Sequence, residues 1–463
     1  MSASRGEFGS KLGFVLAAAG SAVGLGNIWK FPYEVGNGGG AAFVVIYLLF
    51  CFLLCFPVMV AEIAIGRKTN RNPVGAFTAI GFKKWSNVGK LGLLSGVLIL
   101  SFYNVVAGWA FGYFWEMIQG NFAIANNFGG FVSDWFKTGI YALLFMGATA
   151  FIVSGGVQDG IEKAAKILMP SLLTIILFLV IYSLTLPNAT KGLEFYLVPN
   201  FSAITPRVVY GALGQAFFSL SLGMGALITY GSYVSRKENI ITSAAMITLT
   251  DVGIAFIAGL MIFPFVFSQG IAPSQGPGLV FVTLPGIFQS LGPNLGILIG
   301  ALFFLLLSFA ALTSTVSLLE VPVSYLVDEH TMPRKKAVWL TAGFIFLVGI
   351  PSLLSNGASD FFSRFTAYFG AENPIDFMTL IGYIANDTFL PLGGFLIAVF
   401  AAYIWKKENL DKEIAVGYPG YPGSLVQKFM DLMISYLAPI VLGIVVVVTI
   451  LNRFLGISIL GLQ

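Results

Sequence analysis

Long uninterrupted runs of apolar residues constrain this chain more than any other feature. Eleven runs reach the length of about 20 residues that a helix needs to cross a bilayer. Only 10% of the residues are charged, too few to wet a water-facing surface of this size. The runs do not alternate in polarity, which argues against a transmembrane barrel. They lie at residues 11–37, 41–67, 88–118, 138–155, 165–186, 207–233, 239–268, 295–327, 336–354, 376–405 and 429–455.

Because a helix satisfies its own backbone groups in lipid, the runs predict an all-α membrane protein of eleven transmembrane helices, with one domain filling residues 1–463. The basic residues predict its orientation. With the N-terminus inside, 19 of the 25 Lys and Arg residues fall on the inner side and 6 on the other. Lys-rich and Arg-rich loops stay cytoplasmic, so we expect a cytoplasmic N-terminus and an outside C-terminus in the inner (plasma) membrane. The basic residues are thus explained by membrane topology rather than by nucleic-acid binding. We expect the lipid bilayer as a partner, no nucleic acid and no obligate protein partner.

Two of the eleven runs carry paired glycines near their middle. The first contains GSAVGLGN from Gly20 to Asn27, and the sixth contains SLSLGMGA from Ser219 to Ala226. Each glycine in a helix interior costs about 1 kcal/mol relative to alanine. Open backbone survives in lipid only where it lines a cavity or is buried in protein. Small residues also make tight helix crossings, so one such motif alone would indicate packing.

The positions of the two motifs favour a binding site over packing. They open two halves of five spans each, which we interpret as inverted repeats at 11–186 and 207–405, with 429–455 as an extra helix. Interrupted helices at matching positions of two repeats are typical of transporter sites. We therefore expect helices 1 and 6 to be unwound at mid-membrane. Freed N–H groups suit a carboxylate and freed carbonyls suit Na⁺ or an ammonium, so the pair fits a zwitterion such as an amino acid.

Asp251 is the most informative polar residue, because it lies within the apolar run ITLTDVGIAF. A carboxylate at membrane depth is costly unless it is paired, so a cation is its expected partner, with a protonated structural role as the alternative. No HExxH, GxSxG or GxxxxGK motif occurs in the sequence, which argues against an enzyme and against ATP-driven pumping. A channel would need a charged ring or a carbonyl filter, and the sequence repeats neither.

These features together resemble the neurotransmitter:sodium symporter family, in its bacterial, leucine-transporter-like amino-acid branch, over nearly the whole chain. The most specific motif is KLGFVLAAAGSAVGLGNIWKFPY in span 1, and EIAIGR, GIEKAAKILMP, GQAFFSLSLGMGALITYGSY and FAALTSTVSLLE support it. The resemblance implies sodium-coupled symport of an amino acid by alternating access. A proton-coupled carrier of the same fold, with Asp251 as its titrating group, remains the alternative.

The resemblance also implies site residues. Two sodium sites are expected, the first formed by Ala22, Asn27, Ser219 and Asp251 and the second by Gly20, Val23, Ala310, Thr313 and Ser314. The amino-acid pocket is expected to be formed by Ala22, Leu25, Gly26, Ile99, Tyr103, Phe218, Ser219, Ser221, Met224, Ser314 and Leu318. Its apolar character favours a neutral hydrophobic or aromatic substrate. The gates are expected to be Arg5 with Asp328 and Tyr233 on the inside, and Lys30 with Asp376 on the outside.

Chloride-dependent members of the family hold chloride with neutral side chains. The matching positions here are Tyr47, Gln215, Ser219, Asp251 and Ala255. Asp251 stands where those members have Asn, and Ala255 stands where they have a hydroxyl. A fixed carboxylate supplies the negative charge and repels chloride, so we expect transport to be independent of chloride.

Overall fold

The computed structural model describes residues 6–270, 273, 278–367, 373–457 and 459. Helices dominate these residues, and the β-structure in them is an isolated antiparallel bridge between Thr366 and Ile375. The predicted all-α class is therefore confirmed. Fifteen helices are used below, of which α10 and α14 lie in loops. They are α1 Lys11–Ala22, α2 Gly26–Asn37, α3 Ala41–Thr69, α4 Lys83–Ile118, α5 Trp135–Ser154, α6 Val157–Leu184, α7 Pro206–Ser219, α8 Ala226–Gly231, α9 Ile240–Ser268, α10 Leu279–Ser290, α11 Pro293–His330, α12 Arg334–Leu354, α13 Phe377–Ile404, α14 Lys407–Gly417 and α15 Leu425–Leu455.

Nine helices in the described ranges are long and apolar enough to cross a membrane, and ten if the bent pair α1 and α2 forms one span. The eleventh expected span, 207–233, corresponds to α7 and α8, which have 14 and 6 residues and are separated by residues 220–225. Neither piece is long enough to count alone. The structure thus supports a protein that crosses the membrane many times, and the count of eleven stays a prediction.

The first break separates α1 from α2. Helix α1 begins at Lys11 because the Ser10 side chain caps it, accepting the Gly13 N–H at 3.0 Å. It ends at Ala22, after which Val23 takes an extended conformation with ψ of 105°. Helix α2 then leaves at an angle of 49° to α1. Residues near the break therefore have backbone groups that helix bonds do not use.

The second break separates α7 from α8. Helix α7 begins after the cap residue Thr205, and it ends at Ser219. Ser221, Gly223 and Gly225 then follow with positive φ of 54°, 78° and 77°. A right-handed helix cannot continue through such residues, and glycine is the residue that adopts them without strain. Ser221 and the two glycines of the GMG sequence therefore keep the segment between α7 and α8 out of a helix.

Helices α4 and α11 make the most extensive contact between helices and form the centre of the bundle. Its outer surface is apolar: Phe151, Ile181 and Leu347 are exposed over 75%, 68% and 63% of their area. Large apolar side chains in contact with lipid, rather than water, explain such a surface. Both helix breaks lie next to α4 and α11, at the centre of the bundle.

Helix α14 is fastened to the end of α3 by an ion pair. The Arg67 Nε lies 2.9 Å from the Glu413 Oε1, and the two side chains are 0% and 1% exposed. Arg67 also donates to the Glu238 carbonyl oxygen at 2.6 Å. Arg236 also lies 3.4 Å from the Glu413 carboxylate, so a small buried ion network holds α14 against the end of α3.

Candidate functional site

The two helix breaks lie against each other. The Ser221 hydroxyl donates to the Ser21 carbonyl oxygen at 2.9 Å, and the Asn27 Nδ2 donates to the Ser219 Oγ at 3.1 Å. A side chain at Gly26 has no room, because a Cβ there would come within 3.0 Å of the Phe218 ring. The backbone groups released at each break therefore face a shared space.

A pocket occupies that shared space. It is lined by Ser21, Ala22, Gly24, Gly26, Ile99, Tyr103, Phe218, Ser221, Met224, Ser314 and Leu318. Nine of these eleven residues belong to the predicted amino-acid pocket. Leu25 instead lines the cavity outside it, and Ser219 lies beside Asp251. The predicted pocket residues thus come together in space, except for these two.

Ser21 and Gly24 line the pocket although the sequence did not single them out for it. Both lie inside the GSAVGLGN motif, so the motif itself was the signal that marks them. Gly24 has to be glycine for steric reasons. A Cβ at this position would lie 2.3 Å from the Ser314 Oγ and 2.5 Å from the Tyr103 hydroxyl oxygen. Close approach of α4, α11 and the first break depends on this missing side chain.

Tyr103 connects α4 to the first break. The Leu25 N–H donates to the Tyr103 hydroxyl oxygen at 2.8 Å. A tyrosine hydroxyl accepts such a bond and still has its own proton to donate. The Leu25 N–H therefore orients the hydroxyl of Tyr103, which lines the pocket.

A cluster of polar side chains surrounds Asp251 of α9. The Asp251 carboxylate accepts the Asn27 Nδ2 at 2.8 Å, the Ser219 hydroxyl at 2.9 Å and the Tyr47 hydroxyl at 3.3 Å. Asp251 is fully buried. Asn27, Ser219 and Asp251 of the first predicted sodium site therefore meet, whereas its fourth residue, Ala22, lines the central pocket. The carboxylate and the neighbouring hydroxyl oxygens suit a hard cation, whereas the Asn27 Oδ1 accepts the Gly24 N–H at 3.0 Å.

A second cluster of oxygen atoms joins α11 to the first break. The Thr313 and Ser314 hydroxyls both lie 3.3 Å from the Val23 carbonyl oxygen. Ser314 also lies 3.5 Å from the Gly20 carbonyl oxygen, and Thr313 lies 3.0 Å from that of Ala310. All five residues of the second predicted sodium site are thus within reach of one another. The described residues hold no group of three or more His, Cys, Asp or Glu that would suit a transition metal.

The positions that match a chloride shell are largely brought together. Tyr47 donates to the Ser219 Oγ at 3.2 Å, and both contact the Asp251 carboxylate. The Gln215 Nε2 instead donates to the Gly26 carbonyl oxygen at 2.8 Å, while Ala255 is buried and carries no polar group. The carboxylate of Asp251 therefore occupies the middle of this shell.

Glu62 of α3 supports the second break. Its Oε1 accepts the Gly223 N–H at 2.8 Å, and the side chain is fully buried. The bond gives a partner to one amide that the positive φ of Gly223 removes from the helix. The second break is thereby held in one conformation by a neighbouring helix.

The outer side of the pocket differs from the prediction. Lys30 lies over the Phe218 ring, with its Nζ 4.9 Å from the ring centre. The acids that line the same cavities as Lys30 are Glu34 and Asp387. Asp376 lies elsewhere, because its carboxylate caps α13 and accepts the Thr379 N–H at 2.9 Å. The structure therefore does not bring Asp376 to Lys30 as its gate partner.

The inner gate is only partly visible, because Arg5 lies outside the described residues. Asp328 accepts the Asn72 N–H at 2.9 Å. The Tyr233 hydroxyl donates to Glu320 at 2.7 Å, and Glu320 in turn pairs with Arg334 at 2.6 Å. Tyr233 therefore belongs to a buried network between the segment after α8 and the helices α11 and α12.

Comparisons with known proteins agree with this architecture. A profile of the family described as "Sodium:neurotransmitter symporter family" matches residues 5–135 and 137–455. An uncharacterized sodium-dependent transporter of Bacillus subtilis (strain 168), YhdH, is 38% identical over 419 residues, which cover 89% of this chain and 90% of the relative. An uncharacterized sodium-dependent transporter of Haemophilus influenzae is 35% identical over 468 residues, covering 97% and 98%. The crystal structure of MhsT in complex with L-phenylalanine superposes with a TM-score of 0.87 at 44% identity, covering 96% of this chain and 99% of that one.

Proposed function

We propose that the chain, which belongs to the sodium:neurotransmitter symporter family, carries a neutral hydrophobic or aromatic amino acid inward with sodium. The family and its relatives show that the chain is a sodium-dependent membrane transporter rather than an enzyme. The observation that supports this proposal most directly is the pocket between the two helix breaks. The solved relative MhsT has L-phenylalanine bound, which is an amino acid of this class.

The pocket has complementary ends for a zwitterion. The Gly26 N–H and the Tyr103 hydroxyl proton, from two residues that line the pocket, would meet the carboxylate. The carbonyls of Ala22 and Phe218 and the Ser221 hydroxyl suit the ammonium group. The side chain of the substrate would then contact the remaining walls, which are formed by Ile99, Met224 and Leu318. Those walls carry no charge, and Met224 adapts its shape to bulky groups, which favours hydrophobic or aromatic side chains.

Two sodium ions would bind at the two polar clusters. The first would bind between Asp251, Asn27 and Ser219, and the second would bind between Val23 and the hydroxyls of Thr313 and Ser314. Each ion that enters down 100 mV contributes about 2.3 kcal/mol, and a tenfold sodium gradient contributes about 1.4 kcal/mol more. Two ions would therefore drive accumulation of the amino acid by several orders of magnitude.

The Asp251 carboxylate supports independence from chloride. It contributes a permanent negative charge beside the first sodium cluster, where it contacts Tyr47 and Ser219. A second anion at this position would be repelled at short range in a medium of low dielectric constant. Transport by this chain would then need sodium and the amino acid only.

The proposed topology follows the sequence. Eleven spans in two inverted five-helix halves and an extra helix would place the N-terminus in the cytoplasm and the C-terminus outside the plasma membrane, as the 19 to 6 division of the 25 basic residues favours. The halves would alternate access by rocking the two broken helices and their neighbours against a scaffold that includes α4, α5, α11 and α12. On the outer side, Lys30 would work with Asp387 or Glu34, with which it lines the outer cavities.

Uptake into proteoliposomes tests the proposal. The purified chain, reconstituted with an outward-to-inward sodium gradient, is expected to accumulate labelled phenylalanine, leucine, tyrosine or tryptophan, whereas a potassium gradient gives no uptake. Replacing chloride by gluconate at constant ionic strength is expected to leave the rate unchanged. Uptake driven by a pH gradient in the absence of sodium would favour the proton-coupled alternative. Stabilisation by acidic or basic amino acids alone, in a thermal-shift screen of all twenty, would contradict the apolar pocket.

A further inference from the structure

The outer cavity lies beyond the central pocket, between α2, α4 and α13. It has a volume of about 350 Å³ and adjoins the central pocket at Tyr103 and Phe218, which line both. Its charged lining includes one acid of α13, Asp387, and two cations, Lys30 of α2 and Arg453 of α15. A carboxylate within a transmembrane helix is costly unless a cation accompanies it. The partner that Asp387 takes therefore bears on how the outer cavity is held open or closed.

Arg453 is the residue that holds Asp387 in this structure. Its Nη2 lies 3.5 Å from the Asp387 Oδ2, and its guanidinium carbon lies 4.0 Å from the centre of the Tyr383 ring. Tyr383 and Asp387 are four residues apart, so they share one face of α13. A planar guanidinium can stack on the ring and pair with the acid at the same time, which an ammonium group cannot do. The Lys30 Nζ instead lies over the Phe218 ring, 4.9 Å from its centre.

Lys30 has two acids with which it shares a cavity, and they differ in what a pair would do. Glu34 lies on the same helix as Lys30, four residues further along, so a pair between them would move with α2 as one body. Asp387 lies on the facing wall, on α13. A pair between Lys30 and Asp387 would join α2 to α13 across the cavity. Of the two acids, Asp387 is therefore the one whose pairing can close it.

Helix α15 contacts both α7 and α13 through side chains one turn apart. The Thr449 Oγ1 lies 2.7 Å from the Tyr210 hydroxyl oxygen of α7, and Arg453 in the last turn pairs with Asp387. We propose, on the basis of the function proposed above, that Asp387 exchanges partners during gating. Arg453 holds it while the outer cavity is open, and Lys30 takes it when α2 closes on α13. Arg453 is thus a positioning residue, and the extra helix α15 is part of the outer gate.

Pulsed electron paramagnetic resonance measures the populations of open and closed outer cavity directly. The full chain in lipid nanodiscs carries spin labels at Asn37→Cys, at the end of α2, and at Phe136→Cys, near the start of α5. Both positions are exposed, whereas the native Cys51 and Cys55 are buried and should stay unlabelled. Closing of α2 towards the rest of the bundle should appear as a shorter distance between the labels. The samples contain sodium and no amino acid.

Removal of Arg453 should favour the closed cavity. In Arg453→Gln the acid is left to Lys30, so the ratio of the short to the long distance should rise about fivefold, the factor that a partly exposed ion pair of about 1 kcal/mol supplies. Adding Lys30→Gln should abolish this rise, because no cation of α2 is then left to take the acid. Asp387→Asn removes the shared acid and should lower the ratio, which tests the exchange even if Arg453→Gln does not fold.

Arg207→Gln is the matched control. Arg207 is exposed and lines the neighbouring cavity that Lys30, Asp387 and Arg453 also line, so its loss changes the charge there equally. It should leave the ratio unchanged. An unchanged ratio in Arg453→Gln, an equal rise in Arg207→Gln, or a rise that persists without Lys30 would each overturn the exchange. Because the distances are measured without an amino acid or a sodium gradient, a failure of uptake would count against the proposed function alone.

Discussion

Removal of the charge at Asp251 tests the proposed sodium and chloride roles together. Asp251→Asn keeps the size of the side chain and one amide oxygen at the centre of the cluster formed with Asn27, Ser219 and Tyr47. What it loses is the negative charge. At an effective dielectric constant of about 20, a carboxylate attracts a sodium ion about 4 Å away by about 4 kcal/mol. Since about 1.4 kcal/mol corresponds to a factor of ten, sodium affinity should fall by about 100- to 1,000-fold.

The assay is a sodium titration of amino-acid binding to the purified protein, in chloride and in gluconate at equal ionic strength. In gluconate the Asp251→Asn variant should need far more sodium than the parent chain. In chloride the sodium affinity of the variant should be at least about tenfold higher than in gluconate, because chloride can replace the missing charge. Asp134→Asn is the control, because the exposed Asp134 caps α5 through the Lys137 N–H and Asn caps equally well. A variant that binds sodium like the parent chain without chloride would refute the reasoning.

Three further substitutions test the geometry of the site and of the bundle. Gly24→Ala places a methyl 2.3 Å from Ser314 and 2.5 Å from Tyr103, so uptake at equal membrane abundance should fall by about 5- to 150-fold, as overpacking by about 1–3 kcal/mol implies. Tyr103→Phe removes the hydrogen-bond acceptor of the Leu25 N–H, which should weaken amino-acid binding at saturating sodium by about 5- to 100-fold. Unchanged binding would exclude the Tyr103 hydroxyl as a contact of the amino acid. Arg67→Met leaves the buried Glu413 with only the longer contacts to Arg236 at 3.4 Å and Lys68 at 4.0 Å. The free energy of unfolding should fall by up to about 3–5 kcal/mol, and adding Glu413→Leu should restore part of the loss in a thermal-unfolding measurement.

The membrane-spanning helices were predictable because hydropathy alone sets their existence. Their ends were not, because capping residues rather than hydropathy decide them. The span expected at 138–155 begins at Trp135, where the Asp134 side chain caps the helix. The span expected at 376–405 likewise begins at Phe377 because Asp376 caps it. Hydrophobic periodicity carries no information on these caps, so the ends differ by one to a few residues.

Much of the pocket was also predictable, because its residues lie within a few contiguous motifs. Gly26, Phe218 and Ser314 come from three separate motifs, and they meet because the two glycine breaks face each other. The role of Leu25 was not predictable in this way. Whether its N–H points at the pocket or at the Tyr103 hydroxyl depends on the exact angle at which the chain leaves Val23, and sequence patterns do not specify that angle.

The outer gate shows why contacts between remote segments cannot be read from a sequence. Lys30 lies on α2, whereas Asp376 and Asp387 lie on the same distant segment, about three helical turns apart. Only the register of α13 against α2 decides which acid shares a cavity with Lys30, and the structure gives this position to Asp387. The sequence did contain one sign against Asp376. It precedes an apolar run and is followed three residues later by Thr379, the pattern of a residue that caps a helix. A carboxylate already occupied by the amide of its own helix is a poor mobile partner for a lysine, so the cap argument disfavours Asp376 for the gate and leaves the acids that share cavities with Lys30.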